Sequence, residues 1–211
     1  MPKLTLRGAE GGTCPEYSAC WLRRRFADPP QWRSVISGDG YTFHKSEDLR
    51  KASVLIPLVQ REIGLTVLFT RRSAHLHNHA GQISFPGGRA EDHDVSPEHT
   101  ALRESEEEVG LSPERVEVLG LLREYVTVTG YRVMPVVGLV SPPLNLMPDE
   151  FEVAEIFEVP LAYLLDPSNH QKNSVIHQGR RRQYYAFAFG PHYIWGATAG
   201  MVMNLHAFLI A

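Results

Sequence analysis

Three glutamates, Glu104, Glu107 and Glu108, crowd the end of a stretch that reads as a helix from Pro97 to Val109. Steps of three and four residues place them on one face. Like charges at that spacing each cost about 0.2–0.5 kcal/mol, and carboxylates near a helix C-terminus oppose the macrodipole by about 0.3–1 kcal/mol. Such a face is either a solvated acidic helix end or a site whose charge something else neutralises. A hard divalent cation fits the second reading, because Mg2+ takes carboxylate oxygens and leaves positions for water and substrate phosphate. Arg103 stands four residues before Glu107 and can fix that carboxylate's rotamer.

The elements that must position these groups are readable around them. Ser96 suits an N-cap, Pro97 the first helical position and Gly110 a left-handed C-terminal stop. Leu102, Ser105 and Val109 form the stripe expected to pack, with Ser105 a polar break in it. Upstream, residues 52–59 and 64–70 are apolar and β-branched, and the short turn between them predicts an antiparallel hairpin. Arg71 and Arg72 close the second strand. Their guanidinium forks suit phosphate oxygens, and a solvated strand end is the bland alternative. His75, His77 and His79 alternate and would share one face of an extended segment, but no cysteine or acid beside them completes a zinc site.

Downstream, residues 116–122 and 126–140 read as strands interrupted at Thr129 and Gly130, and 151–161 as a strand carrying Glu152 and Glu155. A short helix over 160–165, a hairpin of 174–178 and 184–189 around Gly179 to Arg182, and a helix over 192–209 complete the chain.

With 211 residues and 43% hydrophobic content the chain can bury one real core. Residues 1–50 read as an N-terminal extension with a short helix over 16–26, and residues 51–211 as the main domain. A net charge of -3 provides no basic field for nucleic acid. No apolar run has the length of a membrane helix, and the N-terminus lacks the apolar core of a signal peptide, so a soluble cytoplasmic protein is expected, as monomer or homodimer. Cys14 and Cys20 match neither a zinc knuckle nor a Cys-x-x-Cys, and free thiols are expected.

Arg103-Glu104, Glu107-Glu108 and Gly110-Leu111 resemble the Nudix box. Three features depart from its usual pattern: the spacing from Gly88 to Arg103 is one residue longer, Asp94 stands near the first Glu position, and Ser105 replaces an aliphatic. The first two occur in one branch of that family, the coenzyme A pyrophosphatases. Leu68, Thr70, Arg72, Ser73, Gly81, Phe85, Pro86, Gly87 and Gly88 resemble a second signature that marks this branch, with Phe69 where Leu is usual and His77 where Arg is usual. The last change replaces a fixed charge by an imidazole that is mostly neutral near pH 7. Ile194-Trp195-Gly196 with Thr198-Ala199 is similar to the branch's C-terminal helix.

The resemblance implies a Nudix α/β/α sandwich with a mixed β-sheet and metal-dependent hydrolysis of a diphosphate. Coenzyme A or its thioesters would be cut to 3',5'-ADP and 4'-phosphopantetheine, free or acylated. It assigns catalysis to Arg103, Glu104, Glu107 and Glu108. Glu104 and Glu108 would hold Mg2+ or Mn2+, with Glu107 either completing the metal shell or acting on water. Glu152 or Glu155 is a further candidate for metal ligand or base. Substrate contacts fall to Arg71, Arg72, His79, Gln82, Gly87 and Gly88. The alternatives are hydrolysis of another nucleoside diphosphate derivative, such as ADP-ribose or NADH, and a catalytically silent ligand-binding module.

Overall fold

A computed structural model describes residues 14–39, 49–76, 79–177 and 180–211. Strands β1 (Arg50–Arg61) and β2 (Gly64–Arg72) form the expected hairpin, in register from Leu58↔Val67 to Arg61↔Gly64. Short β3 (Ile83–Ser84) extends the sheet beside β2, and β4 (Gly87–Arg89) pairs with β1 through Val54↔Gly87 and Ser53↔Gly88. After helix α2 (Pro97–Val109) come β5 (Val116–Leu121), β6 (Tyr125–Val126) and β7 (Tyr131–Val140). β7 runs parallel to β1, from Arg50↔Tyr131 to Val59↔Val140, whereas the other pairings of this sheet are antiparallel. A parallel pair needs a long crossover, and the connection containing α2 supplies it. β8 (Val153–Pro160) then pairs with β2, giving an order of β3-β2-β1-β7-β5 with β4 joined to β1, β6 to β7 and β8 to β2.

The central strands are covered on both faces, so they are apolar on both. Leu55 and Val59 of β1 join Leu68, Val136 and the α2 residues Ala101 and Val109 in one cluster. Ile56 and Leu58 join a larger one with Leu22 of α1 (Ala19–Ala27), Leu164 of α3 (Leu161–Leu165) and Phe208 of α4 (Gly196–Ile210). This is the helix–sheet–helix sandwich with a mixed sheet. A second antiparallel sheet, β11 (His192–Trp195), β10 (Arg180–Phe189) and β9 (Gln171–His177), sends Ile194 and Phe187 into the larger cluster. Among the described residues no helix is long and apolar enough to cross a membrane.

The structure corrects four sequence expectations. Residues 192–195 are strand rather than helix, because they pair with β10 from Phe189↔His192 to Ala186↔Trp195, and Gly196 at φ 65° starts α4. Arg180 to Arg182 begin β10 rather than forming its turn, pairing with His177, Ile176 and Val175. Cys14 and Cys20 are joined in a disulfide rather than free, since the turn capped by Ser18 brings their Cα atoms to 5.8 Å. His75 and His79 do not share a face: His79 has φ 59°, which turns the chain, while His75 packs on Phe151. His77 lies outside the described residues.

Candidate active site

Helix α2 begins and ends as its sequence dictates. The Ser96 hydroxyl accepts from the His99 N–H at 3.2 Å, Pro97 occupies the first turn, and Gly110 at φ 67° returns its N–H to the Glu106 carbonyl. Ser105 is fully buried, and its hydroxyl donates to the Ala101 carbonyl at 2.6 Å, so the polar break in the packed stripe is satisfied within the helix. Leu102 is half-buried against the same cluster.

The three glutamates end up in different surroundings. Glu107 is 60% exposed and held by Arg103 Nη1 at 2.9 Å, the contact its i, i+4 spacing predicts. Glu108 is only 8% exposed, accepts the Gly87 N–H at 3.0 Å, and lies 3.9 Å from Arg72 Nη1. Burial pushes its carboxyl up to about 7, against the Gly87 hydrogen bond and the Arg72 charge, and the neighbouring charges of Glu152 and Glu104 add to the rise. Glu104 lies between them in exposure, with Arg103 Nη1 at 3.0 Å. Burial also raises its pKa, opposed by Arg103 and assisted by Glu107 and Glu152. A Cβ at Gly88 would fall on the Glu104 carboxylate, and one at Gly87 on the Ser53 carbonyl. The glycines therefore let β4 pass directly beneath the acidic face, and they bring the Gly87 N–H to Glu108.

Asp94 holds the other end of this arrangement. Its carboxylate is 1% exposed and takes a two-pronged contact from Arg103, Nε at 3.1 Å and Nη2 at 2.9 Å. The Thr100 hydroxyl at 3.0 Å and the Glu91 N–H at 2.9 Å also donate to it, and His99 Nδ1 lies 2.7 Å away. Chiefly through Arg103, the carboxyl is held far below the usual carboxylate range. Arg103 Nη2 reaches the Arg89 carbonyl at 3.2 Å, tying helix, loop and β4 together. The sequence marks Asp94 only as a shifted motif position. The signal of its role was the extra loop residue, which lets a shorter acid reach the guanidinium fork.

The remaining candidates differ in their surroundings. Glu152 is close enough to raise both Glu104 and Glu108, whereas Glu155 is engaged by Arg71 Nη2 at 2.8 Å and His192 Nε2 at 3.0 Å. Arg72 lines a cavity of about 310 Å3 with His79, Gln82, Gly87 and Trp195, while Arg71 and Gly88 are not among its walls. His79 Nδ1 and Gln82 Oε1 are 2.8 Å apart, a mutual contact on that wall. Arg72 Nε is buried without a hydrogen-bond partner.

Among the described residues, no three His, Cys, Asp or Glu side chains converge closely enough to hold a metal by themselves. The donor chemistry nevertheless suits a hard divalent cation: buried carboxylate oxygens whose ionisation is disfavoured until positive charge arrives. Mg2+ commonly uses one or two carboxylates, several waters and substrate phosphates rather than a full protein cage.

Residues 49–178 match the family model of the NUDIX domain. The chain is 43% identical over 157 residues to the uncharacterized Nudix hydrolase NudL of Escherichia coli K12, covering 74% of this chain and 81% of that protein. It is equally similar to NudL of Shigella boydii, 43% over 157 residues with the same coverage. A crystal structure of the Nudix hydrolase RenU from M. smegmatis is 25% identical and covers 54% of this chain and 71% of its own, with a TM-score of 0.46. By its domain match and its 43% identity to NudL, the chain belongs to the Nudix hydrolase family.

Proposed function

We propose that this chain hydrolyses the diphosphate of coenzyme A or its thioesters, releasing 3',5'-ADP and 4'-phosphopantetheine, free or acylated. The observation that carries this reading is the cavity beside Glu108. Residues 68–88 and 194–199, the two stretches that resemble the coenzyme A pyrophosphatase branch, lie far apart in sequence but share its walls through Arg72, Gln82, Phe85 and Gly87 on one side and Trp195 and Thr198 on the other.

Glu104 and Glu108 would hold Mg2+ or Mn2+, which supplies charge neutralisation at the phosphate oxygens and a lowered pKa for water. The chain's own residues supply the rest. Arg72 brings a guanidinium, including the unpartnered Nε–H, to the cavity and contributes to phosphate binding. Arg103, anchored on Asp94, fixes Glu104 and Glu107 in position. A water oxygen attacks phosphorus, the bond to the bridging oxygen breaks, and the proton passes to Glu152 or Glu107. Glu152 is favoured over Glu155, whose carboxylate is occupied by Arg71 and His192. His79 and Gln82 are placed as further substrate contacts; Arg71, paired with Glu155, acts on the strand end instead.

Mass analysis of a digest containing coenzyme A, ADP-ribose, NADH and a dinucleoside polyphosphate tests the proposal. Coenzyme A should disappear first, with 3',5'-ADP and 4'-phosphopantetheine as products. Preference for any of the other three would overturn the substrate while leaving the family intact.

A further inference from the structure

The cavity has a wall that phosphate chemistry leaves unused. β11 ends at Trp195, which lines the same space as Arg72 and is 43% exposed. Its neighbour Ile194 is fully buried, as is Phe187 opposite it, so the strand turns one face inward and presents Trp195 on the other. Tyr193 shares that outward parity and is also exposed.

The indole is held by rigid surroundings. Its backbone pairs with Ala186, and α4 starts at the next residue. Tyr184 meets the ring at 67°, with centroids 5.8 Å apart. The Tyr193 hydroxyl accepts from Asn173 Nδ2 at 3.0 Å, which ties β11 to β9 on the same outer face. An exposed Trp is normally an energetic liability unless it packs against something. Here it lines a cavity whose walls also carry Val54, Ile83, Phe85 and Met201, with Tyr184 against its ring. Thr127 and Thr129, whose hydroxyls lie 3.0 Å apart, line the same cavity.

We infer that Trp195 is the stacking platform for the nucleobase of the substrate and so a specificity-determining residue. This rests on the reading of the cavity as a diphosphate site. A flat conjugated surface gives most to a planar π-system, and every base has such a face. With the diphosphate held at Arg72, the base of the same nucleotide half reaches Trp195 within the same cavity. The phosphate contacts set the cleavage point, and the indole selects a substrate that carries a base.

Two probes separate these roles without turnover: ADP, which has base and diphosphate, and inorganic pyrophosphate, which has the diphosphate alone. Each is titrated into the full chain with Mg2+, following tryptophan fluorescence and heat. ADP should quench the emission and pyrophosphate should not. Trp195→Leu should remove the quench and weaken ADP by about fivefold or more, the lower end of one base–aromatic stack, with pyrophosphate affinity unchanged. Trp195→Phe should restore most of the ADP affinity. Neither change removes a helix cap, because the Trp195 side chain makes no capping hydrogen bond. An absent quench in the unmodified chain, ADP binding unaffected by Trp195→Leu, or equal loss of ADP and pyrophosphate would each overturn the inference. Coenzyme A cleavage without an adenine-dependent quench would sink this role alone; a quench without such cleavage would sink the diphosphatase reading alone.

Discussion

Two buried acidic groups, each facing a different arginine, behave in opposite ways: Asp94 lies against Arg103 and Glu108 near Arg72. Asp94 is surrounded by donors and held ionised well below the usual range. Glu108, at the far end of α2, has one hydrogen bond, one distant arginine and two acidic neighbours, and its carboxyl rises to about 7. Both are nearly inaccessible to water. The difference separates the part of the loop–helix unit whose charge the protein satisfies from the part whose charge it leaves disfavoured. A satisfied buried pair positions; an unsatisfied buried cluster carries stored affinity for a cation.

Removing Asp94 should therefore do the most damage to the fold. Asp94→Ala strands Arg103 and the Glu91 N–H, and a loss of about 3 kcal/mol is expected, the lower end for a broken buried pair because the loop lies close beneath solvent. Urea unfolding would measure it, and an unchanged midpoint would refute the anchoring role. Glu108→Gln should reverse the pattern. Turnover with Mg2+ should fall by about 100-fold or more, the scale of losing one group aimed at developing charge. The metal-free variant should at the same time be no less stable at pH 8, since a disfavoured charge is gone.

The pH dependence of stability sharpens the same contrast. The folded-state pKa of Glu108 is raised to about 7, so in the metal-free protein its stability contribution is fully present below the ordinary carboxylate range and is lost as pH rises through 7. Asp94 is depressed, so its contribution is present above that ordinary range and is lost on acidification below it. Melting temperature without metal should peak on the acidic side of neutral, and added Mg2+ should remove the alkaline decline. A curve that is flat from pH 5 to 8 without metal would contradict the Glu108 assignment. The smallest effect is expected at His99, an exposed partner of Asp94. His99→Ala should cost about 0.5–1 kcal/mol, one hydrogen bond among several, and leave turnover nearly unchanged.

The legibility of the sequence follows the range of the interactions. The helix ends were readable because Ser96, Pro97 and Gly110 act on their own neighbours. The β1–β2 hairpin was readable from its apolar runs and short turn. Ser105 read as a core defect only because the return of its hydroxyl to Ala101 is invisible to a pattern of apolar positions. The different surroundings of Glu152 and Glu155, and of Arg71 and Arg72, come from partners tens of residues away, which no local pattern shows, Glu108 and His192 among them. Strand β11 was missed because His192 to Trp195 has a helical apolar spacing, and its pairing with β10 is a tertiary choice that outweighs local pattern. The Cys14–Cys20 pairing was missed because spacing motifs say nothing about how a turn folds back.

On the proposed reading, a divalent cation completes the buried carboxylates of α2. Mn2+ binding to the full chain, followed by electron paramagnetic resonance of the free ion and compared with Glu108→Gln, tests it most directly. The account predicts that the unmodified chain binds Mn2+ and that Glu108→Gln weakens binding by about 10-fold or more, as loss of a ligand-shell group does. Equal Mn2+ affinity in the two proteins would contradict it.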